Sequence, residues 1–214
     1  MTVIAIDGPS GSGKSTVAQA VGAALGLPVL ETGAMYRAVT LCALVQGLAP
    51  DDAPALATLA ARLDIEVDDR VRVDGRDVTD ELRRPDVTAA VSAVAAVAGV
   101  RSALVARQRE WIAGHGGGVV EGRDIGTVVA PDAVLKVYLV AGEDERARRR
   151  QSQENLTGLE ATREDMRRRD AFDSGRAVAP LAIAVDAVIV DTTGRSIDDV
   201  VSEVTSRYRA VVAP

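Results

Sequence analysis

The sequence is poor in the residues that most often announce a chemistry. Of its 214 residues one is cysteine, one is histidine and one is tryptophan, and aromatic residues make up 2%. A lone cysteine, Cys42, forms no internal disulfide, which fits a reducing cytoplasm; it sits in an apolar, helix-like run as a small core residue. So few rings leave no stacking platform for single-stranded nucleic acid. An excess of positive charge is missing as well. A net charge of −6 argues against a nucleic-acid polymer or an acidic membrane as partner. No apolar run reaches membrane-spanning length, since even the alanine- and valine-rich stretch 87–100 is broken by Thr88, Ser92 and Gly99. The chain enters an apolar run at Val3, so no signal peptide is expected.

What is present is an ordinary globular composition, 47% hydrophobic and 26% charged, at a length that suits one α/β unit with a small insertion. Within it stands Gly8-Pro9-Ser10-Gly11-Ser12-Gly13-Lys14-Ser15, which fits G-x-x-x-x-G-K-[ST]. The β-branched run Val3–Ile6 before it reads as a buried strand. The stretch to Leu25 after it carries Val17, Ala20, Val21, Ala24 and Leu25 at helical spacing. Strand, glycine turn and helix bring successive backbone N–H groups onto an anion at a helix N-terminus. The residues that would hold a nucleoside triphosphate are Gly8, Pro9, Ser10, Gly11, Ser12, Gly13, Lys14, Ser15 and Thr16. Lys14 reaches the β- and γ-phosphates as a mobile charge, and the Ser15 hydroxyl suits Mg²⁺.

Strands and helices then alternate. A short strand at Val29-Leu30 leads into a helix from about Thr32 to Val45, opened by Glu31-Thr32-Gly33 and by an exposed-looking Tyr36-Arg37 pair. Residues 51–63 read as a helix capped by Asp51 or Asp52. Asp64–Asp68 and Val71–Asp74 alternate apolar with charged residues, as one-sided strands do, with turns at Asp68-Asp69-Arg70 and Gly75-Arg76-Asp77 and a third strand starting near Val78. Helices over Pro85–Ala98 and from Val100 to about Ala113 are expected to part at Gly99. A flexible glycine run, 116–118, leads into the strand Val119-Val120, which ends at Glu121-Gly122-Arg123-Asp124. His115 beside it reads as a loop residue. Strands at 134–140 and 187–190 follow, separated by a charged, arginine-dense helical stretch over 143–170 that breaks near Thr157-Gly158. Ser196 caps a closing helix that runs to about Val211. The alternation predicts an α/β fold of three layers, a central parallel sheet covered on both faces, with the polar clusters gathered at strand carboxyl ends.

Three kinds of nucleotide protein compete. Asp191-Thr192-Thr193-Gly194 satisfies D-x-x-G, but no N-K-x-D is present, which rejects a GTPase switch. A larger ATPase module acting on a protein partner needs a Walker B acid, for which Glu121 is the loose candidate. A small-molecule kinase needs a second anionic pocket opposite the P-loop and a basic cover that excludes water. Arg37, Arg123, Arg176 and the 143–170 segment meet those needs.

Several strings in chain order resemble bacterial cytidylate kinases, nucleoside monophosphate kinases of the P-loop class. They are Ile6–Thr16, Thr32–Arg37, Glu121–Val129, Arg169-Asp170, Asp173-Ser174, Arg176–Leu181 and Asp191–Ile197. The resemblance implies ATP-dependent phosphorylation of CMP and dCMP to CDP and dCDP, with Mg²⁺, in pyrimidine metabolism. It implies a cytoplasmic monomer with a core of 1–63, 100–142 and 177–214, a monophosphate-binding insertion at about 64–99 and a lid at about 143–176. By that resemblance Asp124 takes the cytosine amino group, with Thr32, Arg101 and Arg176 completing the base pocket. Arg37 and Arg123 hold the acceptor phosphate, and Ser92, Arg169 and Asp173 address the ribose. Tyr36 belongs to the same substrate set. Lys14, Arg123 and Arg149 form the catalytic set; Arg146 and Arg150 also match the family's arginine run, and the arginine that meets the transferring phosphate stays open among the three. Over 151–160 the lid stretch is shorter and less regular than in the family.

Overall fold

The structure is a computed structural model that describes residues 2–154 and 158–213, so Asn155, Leu156 and Thr157 of the stretch expected as a lid, with the break expected near Thr157-Gly158, lie at or outside the edge of the described residues. The chain packs as two units, Met1–Val29 with Ile112–Pro214, and Leu30–Trp111.

The first unit is built on β1 (Thr2–Asp7), α1 (Lys14–Leu25), β6 (Gly117–Gly122), β7 (Leu135–Val140), α6 (Glu143–Glu154), α7 (Leu159–Ser174), β8 (Val188–Asp191) and α8 (Ile197–Val212). β1 pairs in parallel with β6 and with β7, and β7 with β8. With β2 (Val29–Glu31), through which the chain leaves this unit, the sheet has five strands in the order β2-β6-β1-β7-β8. Near-continuous apolar runs such as Val3–Ile6 and Val137–Leu139 are what a sheet covered on both faces requires. Ile4, Ile6, Val119, Val137 and Leu139 form one core with Val17, Ala18 and Val21 of α1 and Val200 and Val204 of α8. The buried stripe of α1 is therefore Lys14, Val17, Ala18, Val21 and Gly22, turned from the expected one; Ala24 is exposed. The glycine run is not a flexible lead either, because β6 already starts at Gly117, paired with Thr2.

The second unit holds α2 (Thr32–Val45), α3 (Ala53–Arg62), α4 (Pro85–Ala96), most of α5 (Ala98–Gly114) and an antiparallel sheet of β3 (Ile65–Val67), β4 (Val71–Val73) and β5 (Arg76–Asp77). Asp52 caps α3 by accepting from Ala55 N–H at 3.1 Å. The β4–β5 turn is Asp74-Gly75, both at positive φ (51° and 77°), a two-residue hairpin loop whose twist matches its strands. The third strand thus begins at Arg76, two residues before the expected start. The break between α4 and α5 falls at Val97, not Gly99. Gly99 serves a different purpose: a Cβ there would stand 2.4 Å from Ala57 Cβ, so it is the close contact of α5 with α3. No single described helix is long and apolar enough to cross a membrane.

Candidate active site

In the first unit the carboxyl ends of β1, β6 and β8 bring three polar stretches together. β1 runs directly into the glycine loop, and Gly13, at φ 91°, caps α1. Gly11 has φ 72°, and a Cβ on it would meet Met166 Cε at 2.7 Å and the Arg146 backbone oxygen at 2.8 Å, so α6 and α7 approach the loop here. Ser10 is gripped on both sides. Its N–H donates to Asp170 Oδ1 at 3.0 Å and its carbonyl accepts from Arg146 Nη1 at 2.9 Å, while Arg146 and Asp170 pair with each other.

Lys14 is buried and its Nζ donates to Pro9 O at 2.8 Å, which lays the ammonium across the loop. Burial first, and then the Arg123 charge, lower its pKa to about 7, against Glu121, Asp170 and Asp7. Ser15 Oγ donates to Glu121 Oε1 at 3.2 Å. A hydroxyl beside a carboxylate is a hard-oxygen pair that fits a divalent cation.

β6 carries the next two site residues past its end. Arg123 Nη1 donates to Gly8 O at 3.1 Å and Nε to Asp173 Oδ2 at 3.0 Å. Burial alone would lower the Arg123 pKa, but the charge and hydrogen bond of Asp173, then Glu121 and Asp170, raise it, so the guanidinium is held charged. Asp124 is buried and opens a single π-helical turn, Ile125–Val129, its carbonyl accepting from Val128 N–H at 2.9 Å. Arg176 is buried too, and its Nε donates to the Asp173 carbonyl at 3.1 Å. At the end of β8, Thr192 accepts from Arg149 twice, Nη1 to Oγ1 at 2.9 Å and Nη2 to O at 2.8 Å, and its hydroxyl donates to Ser12 O at 3.2 Å. Arg149 Nη1 also lies 3.5 Å from where a Cβ on Gly13 would be. Of the three arginines Arg146, Arg149 and Arg150, then, Arg146 grips Ser10 and Arg149 lies beside Gly13. Arg169 is half-buried on α7.

The other expected residues lie in the second unit. Thr32 is buried as the first residue of α2. Arg37 Nη1 donates to Leu82 O and to Thr88 Oγ1, both at 2.9 Å. Tyr36 is not exposed as its neighbours suggested; it is 8% accessible, with Arg101 Cζ 5.3 Å from its ring centroid. Arg101 is itself buried and donates to Ala95 O at 3.3 Å, which excludes a surface helix position for it. Ser92 is half-buried on α4.

Asp7, Asp170 and Thr192 organise the first unit's cluster and were missed as site residues. The signal for Asp7 was an acid closing an apolar strand directly before the glycine loop. Asp170 and Thr192 stood in matched strings without a role, and no spacing rule links them to residues 10–12.

The cytidylate kinase family model matches residues 4–210. The chain belongs to the cytidylate kinase family. A cytidylate kinase of Mycolicibacterium paratuberculosis is 51% identical over 200 residues, 89% of this chain and 88% of that one. A bifunctional pantoate ligase/cytidylate kinase of a Nostoc species is 49% identical over 220 residues, 97% of this chain but 41% of the longer relative. Among solved structures, a shikimate kinase from Acinetobacter baumannii superposes with a TM-score of 0.51 at 14% identity, over all of this chain and 96% of that one. At that identity the likeness is one of fold: the three-layer α/β architecture with a central parallel sheet, expected from the strand and helix alternation, is present. The family membership decides between the competing classes in favour of a kinase.

Proposed function

We propose that the protein transfers the γ-phosphate of ATP to CMP and dCMP, giving ADP with CDP or dCDP. The observation that carries the reading is Arg123-Asp124 at the end of β6: a charged guanidinium tied to the glycine loop through Gly8 O, next to a buried carboxylate. Phosphoryl transfer needs positioned charge more than covalent help. The acceptor phosphate oxygen is already anionic, so no general base is required. Lys14, Arg123 and Arg149 neutralise the charge that spreads over the transferring group. Gly8 to Thr16 wrap the donor phosphates, which the loop's N–H groups hold; Pro9, which has none, and Ser10, whose N–H donates to Asp170, shape the turn. Ser15 and Glu121 would hold Mg²⁺, which, when bound, neutralises donor-phosphate charge; water and phosphate oxygens complete a shell of that kind.

On the acceptor side Asp124 accepts from the cytosine amino group, while uracil would turn an oxygen toward it. Arg176, and Arg101 and Thr32 of the second unit, serve the base. Arg123 and Arg37 serve the phosphate; Asp173, Arg169 and Ser92 serve the ribose; and Tyr36, stacked on Arg101, supports that guanidinium. Segments 64–99 and 143–176 act as monophosphate-binding insertion and lid. A monomer in a reducing, cytoplasmic compartment completes the reading, supported by the single cysteine.

The test is product identification. With γ-³²P-labelled ATP and CMP, label should appear in CDP at a rate set by both substrates; label released only as inorganic phosphate, or carried to no nucleotide, would refute the proposal.

A further inference from the structure

We propose that Asp7 is a positioning residue for the acceptor base: its carboxylate straps the end of β1 to the turn that follows Asp124, and so fixes Arg123 and Asp124 against the glycine loop. The inference rests on the reading of Asp124 as the residue that meets cytosine.

Asp7 closes β1 opposite Gly122 of β6 and is 5% accessible. Its two oxygens are used separately. Oδ1 accepts from Ile125 N–H and Oδ2 from Gly126 N–H, each at 2.8 Å. Those are consecutive amides at the start of the π-helical turn, two of the donors that have no partner within the turn itself. Asp124 occupies the capping position but makes no side-chain cap bond. Asp7 therefore caps the turn from another strand, and the Asp124 carboxylate is spared that task. A second tie runs alongside, from Arg123 Nη1 to the carbonyl of Gly8, the next residue after Asp7. Two successive residues at the junction of β1 and the glycine loop thus hold Arg123 on one side of Asp124 and Ile125 and Gly126 on the other.

The chemistry demands an ionised carboxylate here. Asparagine offers one acceptor and turns an NH₂ donor toward the second N–H, so one amide loses its partner and faces a donor. Asp124 and Lys14 are the other charged groups that face Asp7, the first opposing its ionisation and the second favouring it. The fit around the turn is close: a Cβ on Gly126 would stand 3.1 Å from Lys136 Cδ and 3.4 Å from Asp7 Oδ2.

The experiment compares wild type, Asp7→Asn and Gly126→Ala in steady-state phosphorylation of CMP and of UMP, with ATP varied separately. Asp7→Asn should raise KM for CMP and lower the CMP:UMP ratio of kcat/KM, each by about tenfold, the factor of one lost charge-assisted hydrogen bond. KM for ATP should stay within about threefold, a margin of less than one ordinary hydrogen bond. Gly126→Ala keeps the carboxylate but shifts the turn, and should lower the ratio in the same direction by a smaller factor; it decides the matter if Asp7→Asn does not fold. An unchanged CMP:UMP ratio in the folded variants, or equal losses toward ATP and CMP at a constant ratio, would overturn the assignment and leave Asp7 a purely structural residue. If wild type itself transfers no phosphate to CMP, the proposed function fails before the variants are compared.

Discussion

Replacing Gly11 with alanine should damage the glycine loop in two ways that add. Gly11 sits at φ 72°, where an L-residue pays about 1–2 kcal/mol. The new methyl also lands 2.7 Å from Met166 Cε and 2.8 Å from the Arg146 carbonyl oxygen. The methionine end can swing aside, but a backbone carbonyl inside α6 cannot, and overpacking of this kind costs about 1–3 kcal/mol. A total of about 3 kcal/mol corresponds to a melting temperature lower by about 6–12 °C in a chain of this size. The strain falls beside the Ser10 clamp, where Arg146 and Asp170 hold the peptide on both sides, so ATP affinity should weaken by about tenfold, or about 1.4 kcal/mol. Thermal unfolding followed by circular dichroism, with ATP binding measured by calorimetry, checks both numbers. A melting point within about 2 °C of wild type, at most about 1 kcal/mol, together with normal ATP affinity would refute the close approach of α6 and α7 to the loop.

Other consequences are smaller in scope. Lys14→Ala should lower kcat at least about 100-fold, the scale of losing one preorganised charge at the transition state, with KM for CMP nearly unchanged; a near-normal rate would contradict its role. Burial first, then the Asp124 charge, raise the Asp7 pKa from 3.8 to about 6, against the bonds from Gly126 and Ile125 and the charge of Lys14. An acid with a raised folded-state pKa binds more protons folded than unfolded between those values. Its contribution to stability therefore falls as pH rises through about 6 and is flat above. Urea unfolding should show the stability of wild type relative to Asp7→Asn falling by about 1.4 kcal/mol between about pH 5 and pH 7.5; a constant difference would contradict the buried, ionising carboxylate.

Much of the fold was legible because each signal was local. The loop from Gly8 to Ser15, the Asp52 and Ser196 caps and the alternation over 64–74 all specify their structure within a few residues. The misreadings came where a residue's neighbour is distant in sequence. Gly99 looks like a helix breaker, yet it is the point where α5 meets Ala57. Tyr36 next to Arg37 looks exposed until Arg101, 65 residues on, covers its ring. Asp7 meets partners more than a hundred positions away, and the π-helical turn that it caps has no sequence period of its own. Ser10 is likewise held by residues 136 and 160 positions downstream. The glycine-loop residues were legible from their spacing, and Arg37, Arg123 and Arg176 from their loop positions; the roles of the acceptor-side residues came from resemblance, and the contacts around them from the structure.

The most direct measurement is ADP release, in a coupled assay, over equal concentrations of CMP, dCMP, UMP, AMP, GMP and shikimate, with Asp124→Asn beside wild type. CMP and dCMP should give the highest kcat/KM, UMP a lower one, and Asp124→Asn should narrow the gap between CMP and UMP. ADP formation that CMP does not stimulate would contradict the proposed reaction, and an unchanged CMP:UMP ratio in Asp124→Asn would contradict the base contact.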